Sequence, residues 1–249
     1  MSEKLIGAWK MKPIFHAYTR PSDEEVQAIG RDNRAVALAA SERLLIENVY
    51  FTAGMKGTHA TVYTRSSIKT RLAHFIPELG PDLGLWIFDA FRSKSAQRAL
   101  FGKIYGELQS ANADWGPEQL RRETTKFVAD LDDPHRKGTT PHNTGGAIDL
   151  TLHRDGTPCE MGTKFDEPTE LSTTDFFERE FDAKFGFERN EWEAIRERRR
   201  ILFHGMIYFG FVNYRNEWWH YDLGDGIWAE ECGVVPVYTS MEESIGKTS

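Results

Sequence analysis

Two short stretches of this chain carry residue types that could hold a metal ion and hydrolyse a bond beside it. The first is Pro141-His-Asn-Thr-Gly-Gly-Ala-Ile-Asp-Leu-Thr-Leu152. Gly145 and Gly146 permit a tight reversal, and the alternation from Ala147 reads as a strand. Asp149 then lies on the face opposite Ile148 and Leu150, on a rigid element, with His142 turned back toward it. Short, stiffly held ligands suit zinc, whose ligand atoms lie about 2 Å from the ion. The plainer reading is a surface-loop histidine and a strand-end hydrogen-bond acceptor. His153 shares the face of Asp149, but four strand residues span about 13 Å, too far for one ion.

The second stretch is Asn213-Tyr-Arg-Asn-Glu-Trp-Trp-His-Tyr-Asp222. On a flat strand Glu217 and His220 would point to opposite faces, because their separation is odd. With Glu217 in the preceding turn, both reach one cleft, walled by Trp218 and Trp219. His220 then serves as a third ligand and Glu217 as a general base rather than a ligand. A core strand with two buried tryptophans and a satisfied histidine is the competing arrangement. Arg92, in Asp89-Ala-Phe-Arg-Ser93 just past a strand end, could meet an oxyanion or hold a substrate carboxylate. An ion pair with Asp89 is the commoner fate of such an arginine.

Spacing alone does not decide. With eight histidines and 38 acidic residues, an acidic residue three positions before a histidine arises about once by chance; it occurs at Asp132/His135 and Glu217/His220. A histidine with an acidic residue seven later occurs at His16/Asp23, His142/Asp149 and His153/Glu160. His16, His59, His74, His135 and His204 are assigned no functional role, and His204 reads as a structural helix residue.

The elements around these stretches are legible in part. Ser66 or Ser67 opens a helix with Ile68, Leu72, Phe75 and Ile76 on one stripe, stopped near Pro77 and Gly80. Ser93 or Ser95 opens another through Ala96, Ala99, Leu100, Ile104 and Leu108. A third runs from about Glu191 to Phe209, with Arg196 to Arg200 mostly on the wet side. Pro117 to Leu131 is a weaker candidate, with Pro117 in a permitted first-turn position. Strands are expected at Gly84–Asp89, Ala147–His153, Trp218–Leu223 and Val234–Tyr238. Helices and strands mix without a regular βαβ rhythm, which predicts an α+β fold with a mainly antiparallel sheet. Asp155 to Ser172 reads as a functional loop region, and the chain as one domain.

Composition narrows the class. A chain of 249 residues that is 40% hydrophobic can bury a real core. Its net charge of -7 argues against a nucleic-acid partner. Mean hydropathy is -0.53 and no run of about 18 apolar residues occurs, so no membrane span is expected. Two cysteines, Cys159 and Cys232, make neither a disulfide scaffold nor a thiolate zinc site. With no apolar run near Met1 to read as a leader, a cytoplasmic location is expected.

Taken in order, Asp89-Ala-Phe-Arg92, Thr140-Pro-His142 through Gly146-Ala-Ile-Asp149-Leu-Thr-Leu152, Met161-Gly-Thr-Lys-Phe-Asp166 and Glu217-Trp-Trp-His220 resemble the D-alanyl-D-alanine dipeptidases. These are zinc peptidases known from vancomycin resistance, related to D,D-carboxypeptidases and to hedgehog-type domains. The resemblance runs from about Ile46 to Tyr221. It implies a hedgehog/D,D-peptidase-like domain over residues 1–249, with a core at about 46–223 and terminal extensions packed on it. It implies one Zn2+ per chain on His142, Asp149 and His220, Glu217 as catalytic base and acid, and Arg92 as transition-state stabiliser. Tyr50 and Tyr63 fall where the family has aromatic residues near substrate, and Thr140 keeps a hydroxyl close to the family's small polar position. Asp166 matches a supporting position. Pro141 departs from the pattern and has no N–H to offer a substrate. The implied reaction is hydrolysis of free D-Ala-D-Ala to two D-alanines, by a monomer or small homo-oligomer. The alternatives are a D,D-carboxypeptidase acting on peptidoglycan peptides and an inactive metal-binding recognition domain.

Overall fold

The chain folds in the order α1 (Ser2–Met11), α2 (Asp23–Arg31), β1 (Ala35–Ala37), β2 (Leu44–Ile46), α3 (Val49–Thr52), β3 (Tyr63–Arg65), α4 (Ser66–Glu78), β4 (Leu83–Asp89), α5 (Lys94–Ala111) and α6 (Pro117–Thr124). It continues with α7 (Pro141–Thr144), β5 (Ala147–Arg154), β6 (Thr157–Pro158), α8 (Arg189–Tyr208), β7 (Val212–Asn213), β8 (His220–Asp222), α9 (Gly226–Cys232) and α10 (Glu242–Ile245). The computed structural model describes residues 2–134 and 139–245, so His135 lies outside the described residues. The central sheet has the order β2-β4-β5-β8-β7, with β6 also pairing with β5. Only β2 and β4 are parallel; the other pairs are antiparallel, as expected for this α+β class.

Strand β5 is the organising element. Ile148, Leu150 and Leu152 enter one continuous apolar core that also holds Phe75, Leu85, Ile87, Leu202 and Met206. The other face carries Asp149, Thr151 and His153, all buried too, so the strand is sandwiched rather than half-wet. Helices α4 and α8 meet closely under the sheet. The ring of Phe75 occupies the space a Cβ on Gly205 would need, so glycine there allows the approach. Caps fix several ends: Ser93 Oγ accepts from Ala96 N at 3.0 Å to start α5, and Glu188 and Glu191 form a capping box on α8.

The structure corrects some sequence expectations. Arg65, not a serine, precedes α4, and Ser66 Oγ donates to Asp32 O. Helix α6 ends at Thr124, short of Leu131. The strand expected at Trp218–Leu223 is confined to His220–Asp222. Val234–Tyr238 is not a strand; instead Val237 N and Tyr238 N both donate to Gly224 O, tying this segment to the end of β8. Arg199 leaves the wet side of α8. It is 1% exposed and donates to Met161 O, Thr173 O and Leu171 O, clamping the loop that leads to and from Asp166. Periodicity could not show this, because the partners are carbonyls of a distant loop. Among the described residues no helix is long and apolar enough to cross a membrane.

Candidate metal centre

Register assembles half of the site. Asp149 on β5 pairs directly with His220 on β8, so both side chains rise from the same face. On the other side of β5, Asp89 also pairs with Asp149, after a bulge between Ile87 and Asp89. The extra residue shifts Asp89 from the core face of β4 onto the face of Asp149. Asp89, Asp149 and His220 thus form one row across three strands.

His142 comes from the short helix α7. Thr140 precedes it in an extended conformation, and Pro141 takes the first helical position, where its missing N–H costs nothing. Gly145 ends the helix at φ 70°, and Met241 packs where its Cβ would be. A Cβ on Gly146 would meet Leu223 O at 2.7 Å, so the chain can enter β5 here only as glycine. The reversal turns His142 back over the row.

One donor atom from each of His142, Asp149 and His220 lies within 4.8 Å of the others, and all three residues are buried. His220 Nδ1 is 2.9 Å from Asp149 Oδ1. His142 Nε2 is 3.3 Å from Asp149 Oδ2 and 3.2 Å from His220 Nδ1. A tetrahedral ion with bonds of about 2.0–2.1 Å has ligand edges of about 3.3–3.4 Å. The donor set therefore fits a metal ion with little adjustment. The outward nitrogens also have partners. His142 Nδ1 is 2.6 Å from Ala90 O, so it is the donor, and Nε2 is left to face the ion. His220 Nε2 is 3.0 Å from Asp222 Oδ1, which leaves Nδ1 facing inward.

Charge completes the pocket. Burial opposes ionisation of Asp149, but His142 and His220 outweigh it and hold this carboxyl far below the usual carboxylate range. Burial likewise disfavours charge on His220, yet Asp222 and Asp149 raise its pKa well above that of a free histidine. Asp225, which caps α9 by accepting from Trp228 N at 3.0 Å, is pushed well above the carboxylate range by burial and by Asp222.

Glu217 sits in the turn before β8, its N–H donating to Tyr214 O and its carbonyl accepting from His220 N. This resolves the parity problem: the turn lets Glu217 Oε2 come within 3.8 Å of His220 Nδ1. Exclusion of water pushes its carboxyl up to about 8, with Asp149 and Asp166 adding to the rise and His220 opposing it. Trp218 and Trp219 are buried beside it.

Arg92 joins the row from below. Its Nε donates to Asp89 Oδ2 at 3.0 Å, and one Nη lies 2.8 Å from Asp89 and 3.7 Å from Asp149. The ion pair and the site role are thus compatible. Burial works against the guanidinium charge, but Tyr50, Asp89, Asp149 and Asp166 raise its pKa further above the ordinary value. Tyr50 lies under Arg92, ring centroid 4.7 Å from Cζ. Its hydroxyl accepts from Arg92 at 3.3 Å and donates to Asp166. Asp166 has φ 60°, an unusual backbone for a residue with a Cβ.

Not every expected residue joins this cluster by a direct contact. Tyr63 lies on β3, where its carbonyl accepts from Phe91 N and its ring stands edge-on to His59. Thr140 is buried with an Oγ1 that has no hydrogen-bond partner. His153 points at Gly84, away from the ligands. Sequence reasoning missed Asp222 and Asn143. A His-x-Asp spacing on a strand was a usable signal for Asp222, since the strand period puts both on one face. Asn143 left no signal; it binds Arg92 O, Ser240 and Glu242 only in the folded chain.

Comparison with known proteins agrees with this geometry. Residues 68–237 match the Peptidase M15 family model, described as D-ala-D-ala dipeptidase. A D-alanyl-D-alanine dipeptidase of Synechocystis is 29% identical over 161 residues, 62% of this chain and 65% of the relative. One of Enterococcus faecium is 38% identical over 86 residues, 34% of this chain and 37% of the relative. The chain thus aligns with less than two thirds of the length of either relative. With the family model covering most of the chain and the buried His-Asp-His group inside the match, this protein belongs to the Peptidase M15 family of D-ala-D-ala dipeptidases.

Proposed function

We propose that this protein is a zinc-dependent dipeptidase that hydrolyses free D-alanyl-D-alanine to two D-alanines in the cytoplasm. The observation that supports it most is the convergence of His142, Asp149 and His220 on one point with Glu217 alongside. Two imidazoles and one carboxylate are a zinc donor set that leaves a fourth position open. Zinc held there would supply an acidified water and a polarised scissile carbonyl.

The chain's own groups do the rest. Glu217 Oε2 takes a proton from the attacking water and returns it to the leaving amine, a role suited to a carboxyl whose pKa burial raises above the ordinary carboxylate range. Arg92, charged and held rigidly by Asp89, Gln97 and Tyr50, meets the developing oxyanion. Tyr50, whose hydroxyl touches Arg92, Thr140, whose buried hydroxyl has no hydrogen-bond partner, and Tyr63 on β3 are the side chains read as dipeptide contacts. The presence of both Glu217 and Arg92 beside the His-Asp-His group favours catalysis over an inactive recognition domain.

Metal analysis coupled to a substrate panel tests this. The expected result is one zinc per chain and chelator-sensitive cleavage of D-Ala-D-Ala but not L-Ala-L-Ala. Preference for a cell-wall pentapeptide over the free dipeptide would replace this reading by a D,D-carboxypeptidase. No cleavage of either by the zinc-loaded protein would leave a recognition domain.

A further inference from the structure

Asp222 is fully buried at 0% exposure and lies two residues beyond His220 on β8, hence on the same face. Its Oδ1 is 3.0 Å from His220 Nε2. Among the described residues its one ion-pair contact is with His220. A buried carboxylate with one cationic or N–H partner is costly unless that contact matters.

The contact selects between two forms of the ring. Neutral His220 carries its proton on Nε2, donating to Asp222, or on Nδ1, donating to Asp149 Oδ1 at 2.9 Å. The second form blocks the nitrogen that faces His142 and Asp149. The first frees it, and a carboxylate on the far N–H also makes that nitrogen a better donor. His142 Nδ1 instead meets a neutral carbonyl, Ala90 O, at 2.6 Å, with the carboxylate of Asp89 further off at 3.5 Å. The two histidines are therefore supported unequally.

Building on the metal site proposed above, we propose that Asp222 is a positioning residue that sets the tautomer of His220 and raises its strength as a metal ligand. Asp222 touches neither substrate nor ion; it acts through the ring.

The test measures zinc dissociation constants by chelator competition for the full-length wild type, Asp222→Asn and Asp222→Ala, together with melting of each metal-free protein. Asn keeps an acceptor oxygen for Nε2–H but removes the charge. The expected order of affinity is wild type, then Asn, then Ala, with a loss of about 10–100-fold for Ala. Circular dichroism and melting of the metal-free forms should stay close to wild type. Unchanged zinc affinity in Asp222→Ala overturns the proposal. So does a loss of zinc that only tracks unfolded protein in both variants, since that is what a purely structural contact gives. A wild-type chain that takes up no zinc instead overturns the metal reading itself, and this one with it.

Discussion

Asp149 and His220 are direct partners across β5 and β8, with Oδ1 and Nδ1 2.9 Å apart. Two of the three candidate ligands are thus set by ladder hydrogen bonds, and only His142 depends on a short helix. Metal binding should therefore stabilise a fold that already exists. Zinc at about a hundredfold excess over its Kd adds roughly 2.7 kcal/mol, worth about 5–10 °C in Tm for a chain of this size. Differential scanning of the stripped and loaded protein measures it. His142→Ala should abolish the shift while leaving the metal-free Tm within a few degrees.

Glu217→Gln keeps the shape of the side chain and removes its ability to take a proton. Turnover should fall by about 10²–10⁴, with zinc content unchanged by metal analysis. Comparable turnover in this variant would remove Glu217 from the chemistry.

Arg92 is the cation that offsets Asp89, and it lies close to Asp149. Arg92→Ala leaves Asp89 buried without its partner, a loss of about 3–5 kcal/mol. Arg92→Lys restores charge but not the paired contacts to Asp89, Gln97 and Tyr50. Urea denaturation should therefore rank wild type above Lys above Ala. Peptidase rates should fall steeply in both variants.

The C-terminal segment acts as a strap over the His142 helix. Met241 N donates to Asn143 O at 2.8 Å, Ser240 Oγ to Asn143 Oδ1 at 2.7 Å, and Asn143 Nδ2 to Glu242 at 2.5 Å. Glu242 also accepts from Lys94 N at the start of α5. Removing residues 239–249 should lower stability by about 3 kcal/mol or more and weaken zinc binding, read by chelator competition.

His153 and His204 are both held below the ordinary histidine value of 6.5, chiefly by burial. The unfolded chain then binds more protons than the folded one just below pH 6.5. Stability from these sites is present above that pH and is lost as pH falls below it. The urea midpoint of His153→Gln relative to wild type should therefore rise between pH 7.5 and 5.5, because Gln takes up no proton on unfolding. The raised pKa values of Glu217 and His220 act in the opposite sense in both proteins and cancel from the comparison.

The chain order of His142, Asp149, Glu217 and His220 was legible because strand alternation and glycine punctuation are local properties of sequence. So were the cap at Ser93, the apolar stripe of α4 and the α+β class. What local rules could not supply came from contacts between distant segments. The bulge that brings Asp89 onto the face of Asp149 depends on register with β5. The turn that brings Glu217 to the face of His220 depends on how Tyr214 and His220 close it. Arg199 reads as a solvent arginine on its helix and is buried only because a loop some thirty residues earlier offers it three carbonyls. Sequence alone offered residues that could bind an ion and move a proton, and the family resemblance joined them into one set. Tertiary structure decided that they share one point and which nitrogen of each histidine faces it, because those depend on strand pairing and on partners remote in the chain.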